Sequence, residues 1–137
     1  MKVVLQEDMT GCGLACVAMI AGKTYAEVKQ AAAKLGIRPK DKKLYSDTKY
    51  VRRLLARFGV RAPEQEKPFA SWEALPDTAL LSIKYHKEND RPMWHWVVFE
   101  RNEGEATVLD PAKYMLRHRR TDFGNMKPKW FIQIQEK

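Results

Sequence analysis

The stretch Gln6-Glu7-Asp8-Met9-Thr10-Gly11-Cys12-Gly13-Leu14-Ala15-Cys16 sets a thiol between two glycines at the start of an apolar run with helical spacing. A helix begins with unpaired backbone N–H groups and the positive end of its dipole. Both stabilise a thiolate, the nucleophilic form of a group whose ordinary pKa is about 8.5. Flanking glycines would let a substrate carbonyl approach the main chain closely. The N–H of Cys12 would then point at the oxyanion that forms on attack, and the side-chain amide of Gln6 could supply a second donor. Alone, a cysteine is more often a small core residue and a glutamine a surface amide; the combination argues for chemistry.

A thiolate needs a proton acceptor, and the chain offers His86, His95 and His118. His95 opens the strand-like run Trp94-His95-Trp96-Val97-Val98-Phe99, where a sheet end would hold it rigidly. Asp110-Pro111 ends the next strand-like run, and two paired strands joined by a short turn bring their outer ends together. Asp110 could therefore accept a hydrogen bond from His95, fixing its tautomer and stabilising the imidazolium. His86, beside Lys87, Glu88, Asn89 and Asp90, reads as part of an exposed loop. His118, between Arg117 and Arg119, reads as a surface residue whose protonated form is disfavoured by its neighbours. Trp72, Trp94 and Trp96 read either as cleft walls or as core.

The elements that must position these groups follow from pattern. Cys12 to Ile20 carries Leu14, Val17, Ala18 and then Ala21 at the spacing of one buried helical face, with Gly22 as its stop. Thr24 and Glu27 form a capping box ahead of a helix over Tyr25 to Leu35, and Gly36 supplies the left-handed exit. A third helix is expected from Asp47 to Phe58, capped by Ser46 and closed by Gly59. Short apolar runs then replace the helical period: Ala79 to Tyr85, Trp94 to Arg101, Ala106 to Asp110 and Trp130 to Gln135. Asn102 to Glu105, with Gly104, predicts a hairpin turn between the second and third of these. Pro63 to Pro68 reads as the crossover. Helices first and strands afterwards predict an α+β fold with segregated layers.

At 137 residues, 45% apolar and 31% charged, the chain fits one domain, with a helical part over about 1–62 and a sheet part over about 69–137. Its longest apolar stretch, Leu14 to Ala21, is too short to span a bilayer, and no export signal opens the sequence. Two cysteines four apart in a helix read as free thiols, which suggests a reducing compartment and a cytoplasmic location, or the cytoplasm of a target cell if the chain is a delivered domain. The net charge of +8 is dispersed over Arg38 to Lys43, Arg52 to Arg57 and Arg117 to Arg120, with no nucleic-acid motif around it. It reads as a solvated basic surface, and nucleic acid is not expected as a partner. Cys12, Cys16 and a histidine make a weak zinc pattern, because no second cysteine pair is present; no metal or other cofactor is expected.

With these residues in place, the chain resembles the papain-like cysteine peptidases that process bacteriocin precursors after a double-glycine leader, usually as the N-terminal domain of an export transporter. Gln6, Cys12-Gly13-Leu14-Ala15-Cys16 with its apolar helix, His95 with Val97-Val98, and Asp110-Pro111 are similar to that family's Gln, Cys-Gly-x-Ala-Cys, His-x-Val-Val and Asp-Pro blocks, in the same order. Ala74-Leu75-Pro76 before the first strand also fits. The resemblance implies a papain-like fold, its N-terminal helical layer packed against a C-terminal antiparallel sheet with the site in the cleft between. It also implies a peptide or protein substrate, Cys12 as nucleophile, His95 as base and acid, Asp110 as the orienting group and Gln6 in the oxyanion hole. Gly11 stands where the family often has an acidic residue, and Trp94 where it often has a small one.

The resemblance leaves the setting open. With no membrane segment in the sequence, export processing would draw on a transporter partner. Similar papain-fold domains serve as bacterial toxin or effector modules, for which an acidic immunity protein would suit the basic surface. The same three groups can run deamidation or transglutamination, since each begins with thiolate attack on a carbonyl. A silent peptide-binding module of the same fold is the alternative outside enzymes.

Overall fold

A computed structural model of the protein describes residues 1–135. Helix α1 (Cys12–Ala21) is apolar throughout, and Cys12 to Met19 are buried on all sides rather than along a single face. It packs against α2 (Tyr25–Lys34), α3 (Lys49–Arg57) and the sheet. Gly22 ends α1 at φ 70°. The capping box at α2 is formed in both directions, Glu27 N–H to Thr24 Oγ1 and Thr24 N–H to Glu27 Oε1, each at 3.1 Å. Burying Leu54 and Leu55 of α3 completely contributes about 2 kcal/mol apiece.

The third helix departs from expectation at its start. Residues Lys42–Ser46 form a separate 3₁₀ turn capped by Asp41, and α3 begins only after Thr48. Ser46 does not cap α3, because its hydroxyl donates to the Pro92 carbonyl at 2.5 Å and accepts from Arg91 Nε. Asp47 takes the Lys49 N–H instead.

Six strands follow: β1 (Lys67–Pro68), β2 (Thr78–Glu88), β3 (Arg91–Asn102), β4 (Glu105–Leu109), β5 (Arg119–Arg120) and β6 (Trp130–Gln133). They form one antiparallel sheet in the order β1-β6-β2-β3-β4-β5. The fold is thus α+β, with the helices N-terminal to the sheet, as the sequence predicts. The crossover region ends in β1, which pairs with β6. The last strand stops at Gln133, although Gln135 still bridges to Arg61. The sheet part as predicted runs to 137, and its last two residues lie outside the described residues.

The charged segment expected as a loop at residues 86–90 is instead the tip of the β2–β3 hairpin. Asn89 and Asp90 take φ 50° and 63°, the paired left-handed values of a tight hairpin turn, which Asn and Asp tolerate better than most residues. Alternation along β3 divides the core. Trp94, Trp96 and Val98 pack with the helices, while Val97 and Phe99 pack on the opposite face with Trp72, Met126 and Phe131. Trp94 and Trp96 are therefore core residues, and Trp72 packs half-buried against the opposite face.

Candidate active site

Four segments converge on Cys12. It opens α1 at the N-terminal tip, and its neighbour β3 carries His95. Asp110 follows the end of β4, and the N-terminal segment is tied beside it by Gln6 N–H to the Pro111 carbonyl at 2.9 Å. Between the pairs Ile83↔His95 and His86↔Met93, two residues of β2 oppose one of β3, a bulge that re-aims the strand beside His95. Lys84 sits in that bulge at φ 56°.

His95 donates Nε2–H to Asp110 Oδ1 at 2.8 Å, which leaves Nδ1 for the sulfur. Asp110 is wholly buried; its Oδ1 also accepts the Ala112 N–H at 3.0 Å, and its Oδ2 accepts Arg120 Nη1 at 2.8 Å. Burial would push the Asp110 carboxyl up, but the His95 hydrogen bond and charge, with Ala112 and Arg120, hold it down to about 2. Burial alone would lower the His95 imidazolium; hydrogen bonds to Asp110 and Cys12, and their charges, raise it to about 10 instead. For Cys12, burial opposes ionisation, yet the His95 hydrogen bond and charge and the N–H groups of Trp96 and Gly13 hold the thiol below its ordinary value. The three shifts run in one sense, each favouring a thiolate beside an imidazolium backed by a carboxylate. Cys16 differs, since burial and the charges of Cys12 and Asp110 push it well up and keep it a thiol.

Gln6 is next to this group but engaged elsewhere. Its Nε2 donates to the carbonyls of Asp8 at 3.0 Å and Met9 at 3.2 Å, bracing the turn before Cys12. The turn is braced again by Asp8, whose Oδ2 accepts from Tyr25 Oη at 2.6 Å and pairs with Lys29 Nζ at 3.2 Å.

The two glycines flanking Cys12 have a reason other than open approach for substrate. A Cβ on Gly11 would come within 2.2 Å of Tyr25 Oη, and one on Gly13 within 2.1 Å of Tyr50 Oη and 2.7 Å of its ring carbon. A side chain at position 11 would therefore have to displace the Tyr25 hydroxyl. Tyr25 can yield at its hydroxyl end, whereas Tyr50 is 2% exposed and its ring has nowhere to go. Gly13→Ala is therefore expected to destabilise the fold by about 3 kcal/mol and Gly11→Ala by about 1 kcal/mol, read by urea unfolding. Equal losses would refute this account of the packing.

The other histidines lie apart from Cys12. His86 is half exposed, with Nδ1 against the Lys84 carbonyl and Nε2 3.4 Å from Glu88. His118 is less superficial than its arginine neighbours suggest: Nδ1 lies 3.0 Å from the Asp110 carbonyl. Sequence reasoning also missed Arg120, taken as part of a solvated basic run but buried against Asp110, and Tyr45, whose hydroxyl burial and the Cys12 charge push up. No group of three or more His, Cys, Asp or Glu side chains among the described residues is arranged to hold a metal ion, and no described helix is long and apolar enough to cross a membrane.

A buried cysteine–histidine pair oriented by a carboxylate can attack a carbonyl carbon and return a proton to the departing group. Among known protein families, residues 1–130 match the Peptidase C39 family. No match is found among curated proteins.

Proposed function

The chain belongs to the peptidase C39 family, cysteine peptidases that hydrolyse peptide bonds, and on that premise we propose that it acts through Cys12, His95 and Asp110 on precursor peptides of the double-glycine leader kind. The observation that carries the assignment is the 2.8 Å bond from His95 Nε2 to a buried Asp110, beside a thiol held down at a helix tip. The leader class rests on the motif resemblance. The chain acts as one peptidase domain.

In this reading the Cys12 sulfur attacks the scissile carbonyl carbon and the carbonyl π electrons move to oxygen. The backbone N–H of Cys12 faces that oxyanion, and Gln6 becomes the second donor by releasing the longer of its two carbonyl bonds, that to Met9. Collapse expels the amine, which takes its proton from His95, and leaves a thioester. The neutral imidazole then removes a proton from water, the hydroxide attacks the thioester, and a second collapse releases the acid and restores the ion pair. Asp110 keeps Nδ1 aimed at the sulfur throughout by holding Nε2–H.

A peptide library read by mass spectrometry tests both levels. Cleavage after paired small residues, Gly-Gly above all, is the expected result. Cleavage without preference for small residues would remove the leader assignment and leave the peptidase. Ammonia release from glutamine side chains in place of new termini would replace hydrolysis of the chain with deamidation.

A further inference from the structure

The carboxylate that faces His95 is itself gripped from behind. Asp110 divides its oxygens: Oδ1 serves His95 and the Ala112 N–H, and Oδ2 serves Arg120 Nη1 at 2.8 Å. Arg120 is 6% exposed, and its remaining nitrogens fork onto Asp122, Nε to Oδ1 at 3.0 Å and Nη2 to Oδ2 at 2.8 Å. A planar guanidinium pinned on two sides resists rotation in a way that a lysine ammonium would not.

We propose that Arg120 is a positioning residue for the reaction, holding Oδ2 of Asp110 so that Oδ1 stays on His95, and offsetting part of the carboxylate's charge so that the imidazolium can give up its proton. The inference rests on the assignment of Cys12, His95 and Asp110 made above. A buried carboxylate with no second cation would hold the imidazolium too firmly for proton return to a departing amine. It would also be free to turn about its χ2 angle and take Oδ1 away from Nε2–H. The other charged or titratable groups at this centre are Cys12 and Cys16 from α1, Tyr45 from the 3₁₀ turn, Tyr50 from α3, and His118 and Asp122 beside β5. His118 meets only the Asp110 backbone carbonyl, so Arg120 is the arginine that divides the carboxylate with His95.

Two variants separate the two parts of the role. Arg120→Lys keeps a cation near Oδ2 and loses the fork onto Asp122. Iodoacetamide alkylation of Cys12 at pH 6, and kcat on any cleaved peptide, should each fall about tenfold with KM unchanged. The His95 titration, followed by imidazole nitrogen NMR, should stay in place. Arg120→Gln removes the cation, and the His95 titration should move up by about half a pH unit or more. Wild-type alkylation and kcat in Arg120→Lys would overturn the positioning role, and that variant alone suffices if Arg120→Gln fails to fold. An unmoved or lowered titration in a folded Arg120→Gln would overturn the charge offset. Alkylation and titration need no substrate. A chain that cleaves no peptide yet shows these changes would end the peptidase assignment and keep the inference, and the opposite pattern would do the reverse.

Discussion

Cys12→Ala is expected to reduce peptide cleavage by about 10⁴-fold or more, to the background of the solution, while the chain stays folded. The loss is total because the sulfur forms the bond that defines the intermediate; no neighbouring group can stand in, since Cys16 is buried and held as a thiol. The variant should also change how stability depends on pH. In the wild type the folded chain keeps a proton on His95 up to about pH 10, whereas the unfolded imidazole loses it near 6.5, and folding also lowers the Cys12 thiol, which releases its proton more readily than in the unfolded chain. The two shifts have opposite signs in proton uptake, so the lowered thiol offsets part of the pH dependence that the raised imidazole would give alone. In Cys12→Ala the offsetting thiol is gone, and the hydrogen bond and charge of Asp110 are what remain to hold a proton on His95 against its burial. A raised folded pKa contributes stability that is complete below the unfolded value and lost as pH climbs through the folded one. Urea unfolding of the variant should therefore weaken from pH 6.5 upward, by about 1.4 kcal/mol for each unit by which His95 stays raised. Residual cleavage by Cys12→Ala would end the nucleophile assignment, and a level profile in the variant would show that Asp110 alone does not keep His95 raised.

Much of the architecture was legible because local chemistry and global packing agree. Thr24 and Glu27 announce α2, Gly22 and Gly36 end α1 and α2 with positive φ, and Glu103-Gly104 turn β3 into β4 with φ 52° and 82°. The errors fall where long-range partners override a local signal. Ser46 looks like a helix cap, but Pro92 and Arg91, about a third of the chain away, take its hydroxyl. Lys87 to Asp90 look like loop because they are charged, yet a two-stranded ribbon projecting beyond the core exposes its side chains just as a loop does.

The same division runs through the site. The spacing of Cys12, His95 and Asp110 could be read because strand ends and helix tips constrain where side chains go. What surrounds them could not. Arg120 belongs by sequence to a basic run, and only the pairing of β4 with β5 turns it inward while Arg119 stays exposed. The phenol rings beneath Gly11 and Gly13 come from α2 and α3, and no pattern in either helix signals their reach. A glycine pair that reads as space for substrate is, from beneath, space already filled.

The substitution Asp110→Asn joins catalysis to stability most directly. An amide has one acceptor oxygen where the carboxylate has two, and the side chain faces donors from His95, Ala112 and Arg120. If the oxygen stays with His95, the amide NH₂ meets Arg120 donor to donor; if it turns, His95 loses its partner. Cleavage should fall about 10²- to 10³-fold, and the alkaline limb of the pH profile should move down, since His95 loses a counter-charge that holds it up to about 10. Arg120, buried and left with Asp122, makes the substitution costly to the fold, by about 3 kcal/mol at pH 7. The sign with pH follows from the depressed carboxyl. A folded pKa of about 2 against an unfolded 3.8 contributes stability that is present above 3.8 and lost as pH falls toward 2. The wild-type advantage over Asp110→Asn in urea should thus shrink between pH 4 and pH 2. A gap of constant size, or a variant as stable as wild type at pH 7, would show that the Asp110–Arg120 pair does not carry the load assigned to it.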